Sequence, residues 1–229
     1  MDLDIDRIYK KMVISHRGGW CYEMNGLLHW ALQEIGFDVT RVNGGVARSV
    51  RGDVALGNHV VLLVSLDQTY IADVGFGDGV IDPVPLTEGP IVQRGFDFRL
   101  ERLRDGFWRF HNHEHGGAPS FDFREDAADE QLFADQCRFL QTSGDSPFVL
   151  AFVAQLFVHN GYEVQLGRVA RSITREGEKT RVIENEAEFV ERLRGTFRLD
   201  VPEMSRLWRK IVARHEEIFD NLNRSILKD

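Results

Sequence analysis

At Asp38 the helical spacing of apolar residues ends and short strand-like segments begin, which confines the chain to folds where helices precede a sheet. Before it, Leu3, Ile5, Ile8, Tyr9 and Met12 predict a helix over residues 2–13. Met24, Leu27, Leu28, Ala31, Leu32 and Ile35 predict a second over 21–35, with Gly36 placed to end it. After it, residues 39–42, 59–65 and 69–74 read as strands, the last two forming a hairpin across Leu66-Asp67-Gln68. A second strand pair, 96–103 and 107–113, turns at Arg104-Asp105-Gly106.

A helix over 125–140 follows, then strands at 149–158, 162–166, 170–174 and 180–183, and closing helices at 186–195 and 202–219. Helices, strands and a mixed tail make the class α+β. The expected organisation is a helical segment over 1–37, an antiparallel β-barrel-like domain over 38–140 and a C-terminal αβ lid over 141–229.

Charge and cysteine usage narrow the function. The formal net charge is −8, and no block of Lys or Arg offers the basic face that nucleic acid or an anionic membrane requires. No apolar run approaches the roughly 18–20 residues needed to span a bilayer. The acidic start, Met-Asp-Leu-Asp-Ile-Asp, lacks the layout of a secretory signal. Two cysteines, Cys21 and Cys137, cannot build a disulfide framework or an all-thiolate zinc site. A reducing, cytoplasmic setting is expected, where a conspicuous cysteine is chemical rather than structural.

The conspicuous one is Cys21. Gly18 and Gly19 precede it, and it opens the second helix. A thiol there meets the positive end of the helix dipole and unpaired N–H groups, which favour thiolate and can receive a developing oxyanion. A nucleophile needs a base, and the base an orienter. His59 opens the apolar strand Val60-Val-Leu-Leu-Val64, and Asp73 closes its hairpin partner, so the two fall at one end of the hairpin. On spacing alone, the same residues also read as a packed cysteine and a structural His–Asp hydrogen bond.

The stretch Arg17-Gly-Gly-Trp-Cys-Tyr-Glu-Met-Asn25, then Gly44-Gly45, Asn58-His59 and Tyr70-Ile-Ala-Asp-Val-Gly-Phe-Gly77, closely resembles the arylamine N-acetyltransferase family. Ser146-Pro147-Phe148 and the tail over 188–208 extend the resemblance almost end to end. It implies a papain-like arrangement, with the cysteine on a helix and the histidine and aspartate on a sheet. It implies that Cys21 takes an acetyl group from acetyl-coenzyme A as a thioester, with His59 as base and Asp73 fixing the imidazole. The acceptor would be an arylamine, arylhydrazine or N-hydroxyarylamine, in ping-pong order. By position, Val46 and Phe76 would wall the acceptor pocket, and Arg17 and Glu23 would support the elbow as a pair beneath it. Family members carry several helices before this first one, so the chain reads as starting late. An amide synthase that cyclises or releases a polyketide shares the triad, and a non-catalytic binding module is the reading from another class.

Other features carry less. His111, His113 and His115 alternate and would share one face of a strand, but no further ligand has metal-site spacing, and no metal is expected. Cys137 falls on a helical stripe with Phe133 and Leu140 as a buried residue. Glycines 75, 77 and 79 lack the lysine and strand–helix context of a phosphate loop.

Overall fold

Helices come first and sheets follow, as the change at Asp38 requires. The computed structural model describes residues 3–202 and 204–226, and the chain divides into two units, Met1–Leu140 and Gln141–Asp229. In the first unit, α1 (Ile5–Tyr9) is capped by the Asp4 carboxylate, which accepts from Arg7 N–H at 3.0 Å. It widens into a π-helical turn over Lys10–Ile14. Next comes α2 (Cys21–Glu34), the longest helix of the unit. It ends where Gly36 takes φ 97° and Phe37 N–H reaches back to the Leu32 carbonyl at 3.0 Å, a Schellman-type stop.

Eight strands make one sheet: β1 (Asp38–Val46), β2 (His59–Ser65), β3 (Thr69–Ala72), β4 (Val84–Pro85), β5 (Gly89–Gln93), β6 (Phe96–Arg102), β7 (Trp108–His111) and β8 (Ser120–Phe123), with a one-turn helix, α3 (Arg48–Arg51), between β1 and β2. Every neighbour is antiparallel, in the order β4-β3-β2-β1-β8-β7-β6-β5. The two edge strands, β4 and β5, are consecutive in the chain. Four Cα steps of about 3.8 Å from Pro85 to Gly89 hold those edges within about 15 Å. The Gln93 side chain stitches across: Oε1 accepts from Ile81 and Asp82 N–H at 2.9 and 3.0 Å, and Nε2 donates to the Asp82 carbonyl at 2.9 Å. The sheet is a nearly closed barrel.

Period-2 alternation sorts β2 between two environments. Val60, Leu62 and Val64 join Cys21 and Tyr22 of α2, and Phe133, Cys137 and Leu140 of α4 (Glu130–Thr142), in one core. Each such buried aliphatic side chain contributes about 1.5–3 kcal/mol. The alternate positions, beginning with His59, face a cluster of rings. Phe110 stacks on Phe121 at 4.9 Å and on Phe98 at 5.5 Å, and Phe76 meets Phe121 edge-on at 4.9 Å.

The second unit is an antiparallel sheet of β9 (Val153–Val158), β10 (Gly161–Leu166), β11 (Val169–Thr174) and β12 (Gly177–Val182), in the order β12-β11-β10-β9. A short helix, α5 (Pro147–Leu150), precedes it, and α6 (Glu186–Gly195) and α7 (Met204–Ile226) follow. Their core is Ala170, Ile183, Phe189, Leu193, Phe197 and Ile211. Among the described residues, no helix is long and apolar enough to cross a membrane.

The α+β class and the barrel-like middle are as expected. The differences are local. α4 starts at Glu130 rather than 125 because the Asp129 carboxylate caps it, accepting from Gln131 and Leu132 N–H at 3.0 Å each. The expected strand over 149–158 is split: Ser146 Oγ accepts from Phe148 N–H at 3.2 Å, and Pro147 suits a first helical position, so a helical turn forms before β9. The strand over 107–113 stops at His111, so the three alternating histidines do not share a face. His111 bonds Glu101 at 2.7 Å, whereas His113 is buried against the Asp78 carbonyl at 3.1 Å. β5 carries no strand pattern because it contains Pro90, which an edge strand tolerates.

Candidate active site

The N-terminus of α2 is shaped by Glu23. Its carboxylate accepts from Trp20 N–H at 3.0 Å, while Glu23 N–H bonds the Trp20 carbonyl at 2.9 Å, so the first turn closes on itself. Glu23 is buried, and its charge is met by Lys11 Nζ at 2.6 and 2.8 Å. The expected Arg17–Glu23 pair does not form. Lys11 of the π-helical turn takes the carboxylate, and Arg17 is exposed. Glu23 closes the first turn of α2 and pairs with Lys11; among the described residues Arg17 makes no hydrogen bond or ion pair with it.

Cys21 is the first residue of α2, with Sγ 3.8 Å from the Asn58 carbonyl. Its neighbour Tyr22 is buried and donates its hydroxyl to the Gly57 carbonyl at 2.6 Å. Burial first, and then Cys21 and Cys137, push the Tyr22 pKa up, so the hydroxyl stays a donor. Asn58 uses its amide on the other side, with Oδ1 accepting from Val46 N–H at 2.8 Å. Residues 57 and 58 thus join the α2 N-terminus to the end of β1.

His59 opens β2 and is buried, and its Nε2 lies 2.6 Å from Asp73 Oδ2. The Cys21 side chain is near enough to act on the same imidazole. Burial alone would lower the imidazole pKa. Asp73, by charge and hydrogen bond, and then Cys21 overcome it and raise the value to about 10. For Asp73, burial would raise the pKa, but His59, then Asn25 and Gly75, hold it below the usual carboxylate range. Both shifts run the same way, each partner favouring the charged form of the other.

Asp73 follows the last residue of β3 and has three donors: His59, Asn25 Nδ2 at 2.8 Å and Gly75 N–H at 2.9 Å. Asn25 lies one helical turn after Cys21, on the same face of α2. It is fully buried, and it also donates to the Val60 carbonyl at 2.6 Å and accepts from Val74 N–H at 2.9 Å. Gly75 is packed where no side chain fits: a Cβ there would stand 2.6 Å from Cys21 Cα and 2.8 Å from Asn25 Nδ2. The loop is pinned beyond it by buried Asp78, whose carboxylate accepts from Asn112 Nδ2 at 3.0 Å and Gly117 N–H at 2.6 Å.

Phe76, on the same loop, lies edge-on to His59 with ring centroids 5.5 Å apart, and Phe121 approaches that imidazole at 5.0 Å. Val46 is half-buried at the end of β1. Thus Cys21, His59 and Asp73 come together, with Phe76 beside the imidazole and Val46 tied in through Asn58. Asn25, Asn58 and Gly75 also build the site. The helical period marks Asn25, four residues after the cysteine, whereas Asn58 and Gly75 stand within the family-like stretches with no local signal of what they contact. Among the described residues, no group of three or more His, Cys, Asp or Glu is placed to hold a metal ion.

The chain and its fold match known proteins. A family model described as N-acetyltransferase matches residues 1–206. The chain belongs to the arylamine N-acetyltransferase family. The arylamine N-acetyltransferase of Mycolicibacterium smegmatis is 40% identical over 111 residues, covering 45% of this chain and 40% of that protein. Human arylamine N-acetyltransferase 1 is 37% identical over 118 residues, covering 47% and 39%. The chain thus spans about two fifths of the length of the curated relatives it matches. Among solved structures, Mycobacterium marinum arylamine N-acetyltransferase in complex with CoA is similar with a TM-score of 0.81 at 27% identity, over 92% of this chain and 81% of that one. The Mycobacterium abscessus enzyme gives 0.82 at 25% identity, over 93% and 79%. The family fold therefore extends well beyond the stretch in which sequence identity is high.

Proposed function

We propose that the chain moves an acetyl group from acetyl-coenzyme A, through a thioester on Cys21, to the nitrogen of an arylamine or arylhydrazine, or to the oxygen of an N-hydroxyarylamine. The observation that carries this reading is the buried His59 imidazole, 2.6 Å from Asp73 and beside Cys21 at the start of α2, where Asp73 and Cys21 favour its charged form. An adjacent imidazolium favours thiolate, the attacking form.

In the first half-reaction Cys21 Sγ attacks the thioester carbonyl, and the carbonyl oxygen becomes an anion. The unpaired N–H groups of the first turn of α2 are donors for it. Collapse breaks the bond to the coenzyme A sulfur, which takes the proton from His59. In the second half-reaction the acceptor nitrogen attacks the acetyl-cysteine, His59 receives its proton, and Cys21 leaves as thiolate, restoring the starting pair. Asp73 keeps its charge throughout and holds the ring. Phe76 and Val46 form part of the acceptor wall, and an aromatic face suits a planar amine. The donor assignment draws on the CoA-bound M. marinum relative.

The test is single-turnover intact mass with acetyl-coenzyme A. An acetyl adduct should form on Cys21, be absent in Cys21→Ala, and transfer to an added arylamine. No adduct, or an adduct that only water removes, would defeat the reading.

A further inference from the structure

The bonds of Asn25 have a counterpart in the β2–β3 ladder. Its register pairs Ser65 with Thr69, Val64 with Tyr70, Leu63 with Ile71 and Leu62 with Ala72. At the turn, Leu66 N–H bonds the Gln68 carbonyl at 2.9 Å. Antiparallel ladders alternate hydrogen-bonded and non-bonded pairs. Counting from the turn, Val64–Tyr70 and Leu62–Ala72 are the bonded pairs, and the next would be Val60–Val74. The side chain of Asn25 occupies that rung instead. Val74 N–H donates to Asn25 Oδ1 at 2.9 Å, and Asn25 Nδ2 donates to the Val60 carbonyl at 2.6 Å.

A side-chain amide has a carbonyl and an N–H on one carbon, so it can replace a direct backbone bond with two bonds in series. A direct rung separates N and O by about 2.9 Å, and the amide roughly doubles that. The remaining N–H of Asn25 donates to Asp73 Oδ1 at 2.8 Å. That leaves Oδ2 for His59, one residue beyond the replaced rung.

We propose that Asn25 is a positioning residue that splits the β2–β3 ladder next to the site and fixes the Asp73 carboxylate against His59. The wedge ends β3 at Ala72, so Asp73 is released from strand geometry while β2 continues to His59. Because Asn25 is one turn from Cys21 on α2, the same amide sets the nucleophile's helix against both strands. This inference rests on the proposed function only in that the ordered His59–Asp73 pair serves Cys21.

The test follows alkylation of Cys21 by iodoacetamide between pH 5 and 10, by mass spectrometry, in the unsubstituted protein and in Asn25→Ala and Asn25→Asp. Both variants should react at least tenfold more slowly than the unsubstituted protein at pH 6, with the difference closing toward pH 10. In turnover with acetyl-coenzyme A and an arylamine, kcat should fall while KM for the donor changes little. A folded Asn25→Ala whose alkylation profile superimposes on that of the unsubstituted protein would overturn the proposal, since a purely structural role lowers stability without moving the profile. If Asn25→Ala does not fold, Asn25→Ser, which can keep one of the bonds, carries the same comparison. Failure of the functional reading looks different: Cys21 of the unsubstituted protein would then react at pH 6 no faster than an ordinary thiol.

Discussion

Gly75→Ala isolates the requirement for close approach at the site. Gly75 has no positive φ, so the substitution imposes no left-handed strain and acts through space alone. The new Cβ would stand 2.6 Å from Cys21 Cα, 2.9 Å from Cys21 Cβ and 2.8 Å from Asn25 Nδ2. Carbon atoms rest about 3.5–4.0 Å apart, so α2 and the loop must separate by roughly 1 Å. The atoms in the way are helix backbone and a fully bonded amide, neither of which can swing aside. Overpacking of this kind costs about 1–3 kcal/mol. For a chain this long that corresponds to a fall in Tm of about 2–12 °C.

A misplacement of about 1 Å at a nucleophile can also cost on the order of a hundredfold in rate. Gly106→Ala supplies the control. It takes φ 85° in the β6–β7 turn with nothing within 4 Å of its Cβ, so it carries strain of about 1–2 kcal/mol away from the site. Thermal unfolding and the rate of Cys21 acetylation would be measured on both. Gly75→Ala should lose stability and rate together, and Gly106→Ala stability only. A Gly75→Ala protein that melts and acetylates like the parent would refute the steric argument.

Two further outcomes follow from charge. His59 has a raised pKa, so its contribution to stability is complete below about 6.5 and declines as pH rises toward about 10. Asp73 is lowered, so its contribution is complete above its ordinary value near 3.8 and declines as pH falls. Asp73→Asn should flatten both limbs of the Tm–pH curve relative to the parent, and an unchanged difference across pH 4–10 would count against the pair. Lys11→Met should cost about 1–2 kcal/mol in urea unfolding, because it strands a buried carboxylate while Lys11 itself is partly exposed. Adding Glu23→Gln should recover most of the loss; if the double variant is no better than the single, the pair does not carry the elbow's charge.

Much of the fold is legible in local patterns, because His59–Ser65 is a sharply bounded apolar run and Glu186–Gly195 has a helical period. Elements whose limits depend on a partner far along the chain are not. β3 stops at Ala72 because an amide from α2 takes the next rung, and no local signal in residues 69–74 encodes that. β8, four residues between turns, forms because β1 and β7 flank it. In the site, Cys21, His59 and Asp73 are marked by residue type and spacing, whereas the supporting contacts are made between segments remote in sequence. Lys11 rather than Arg17 neutralises Glu23, for instance, because the π-helical turn delivers it there.

The sequence alone therefore determined the α+β order, the helix-borne cysteine and the residue types of the reactive set, since period, capping and motif spacing are local properties. Only the tertiary structure decided how tightly the set is held. It fixed the 2.6 Å His59–Asp73 contact, the Asn25 amide within the ladder, the absence of room at Gly75 and the near closure through Gln93. Each of these is a distance between groups that chain connectivity leaves free and packing sets.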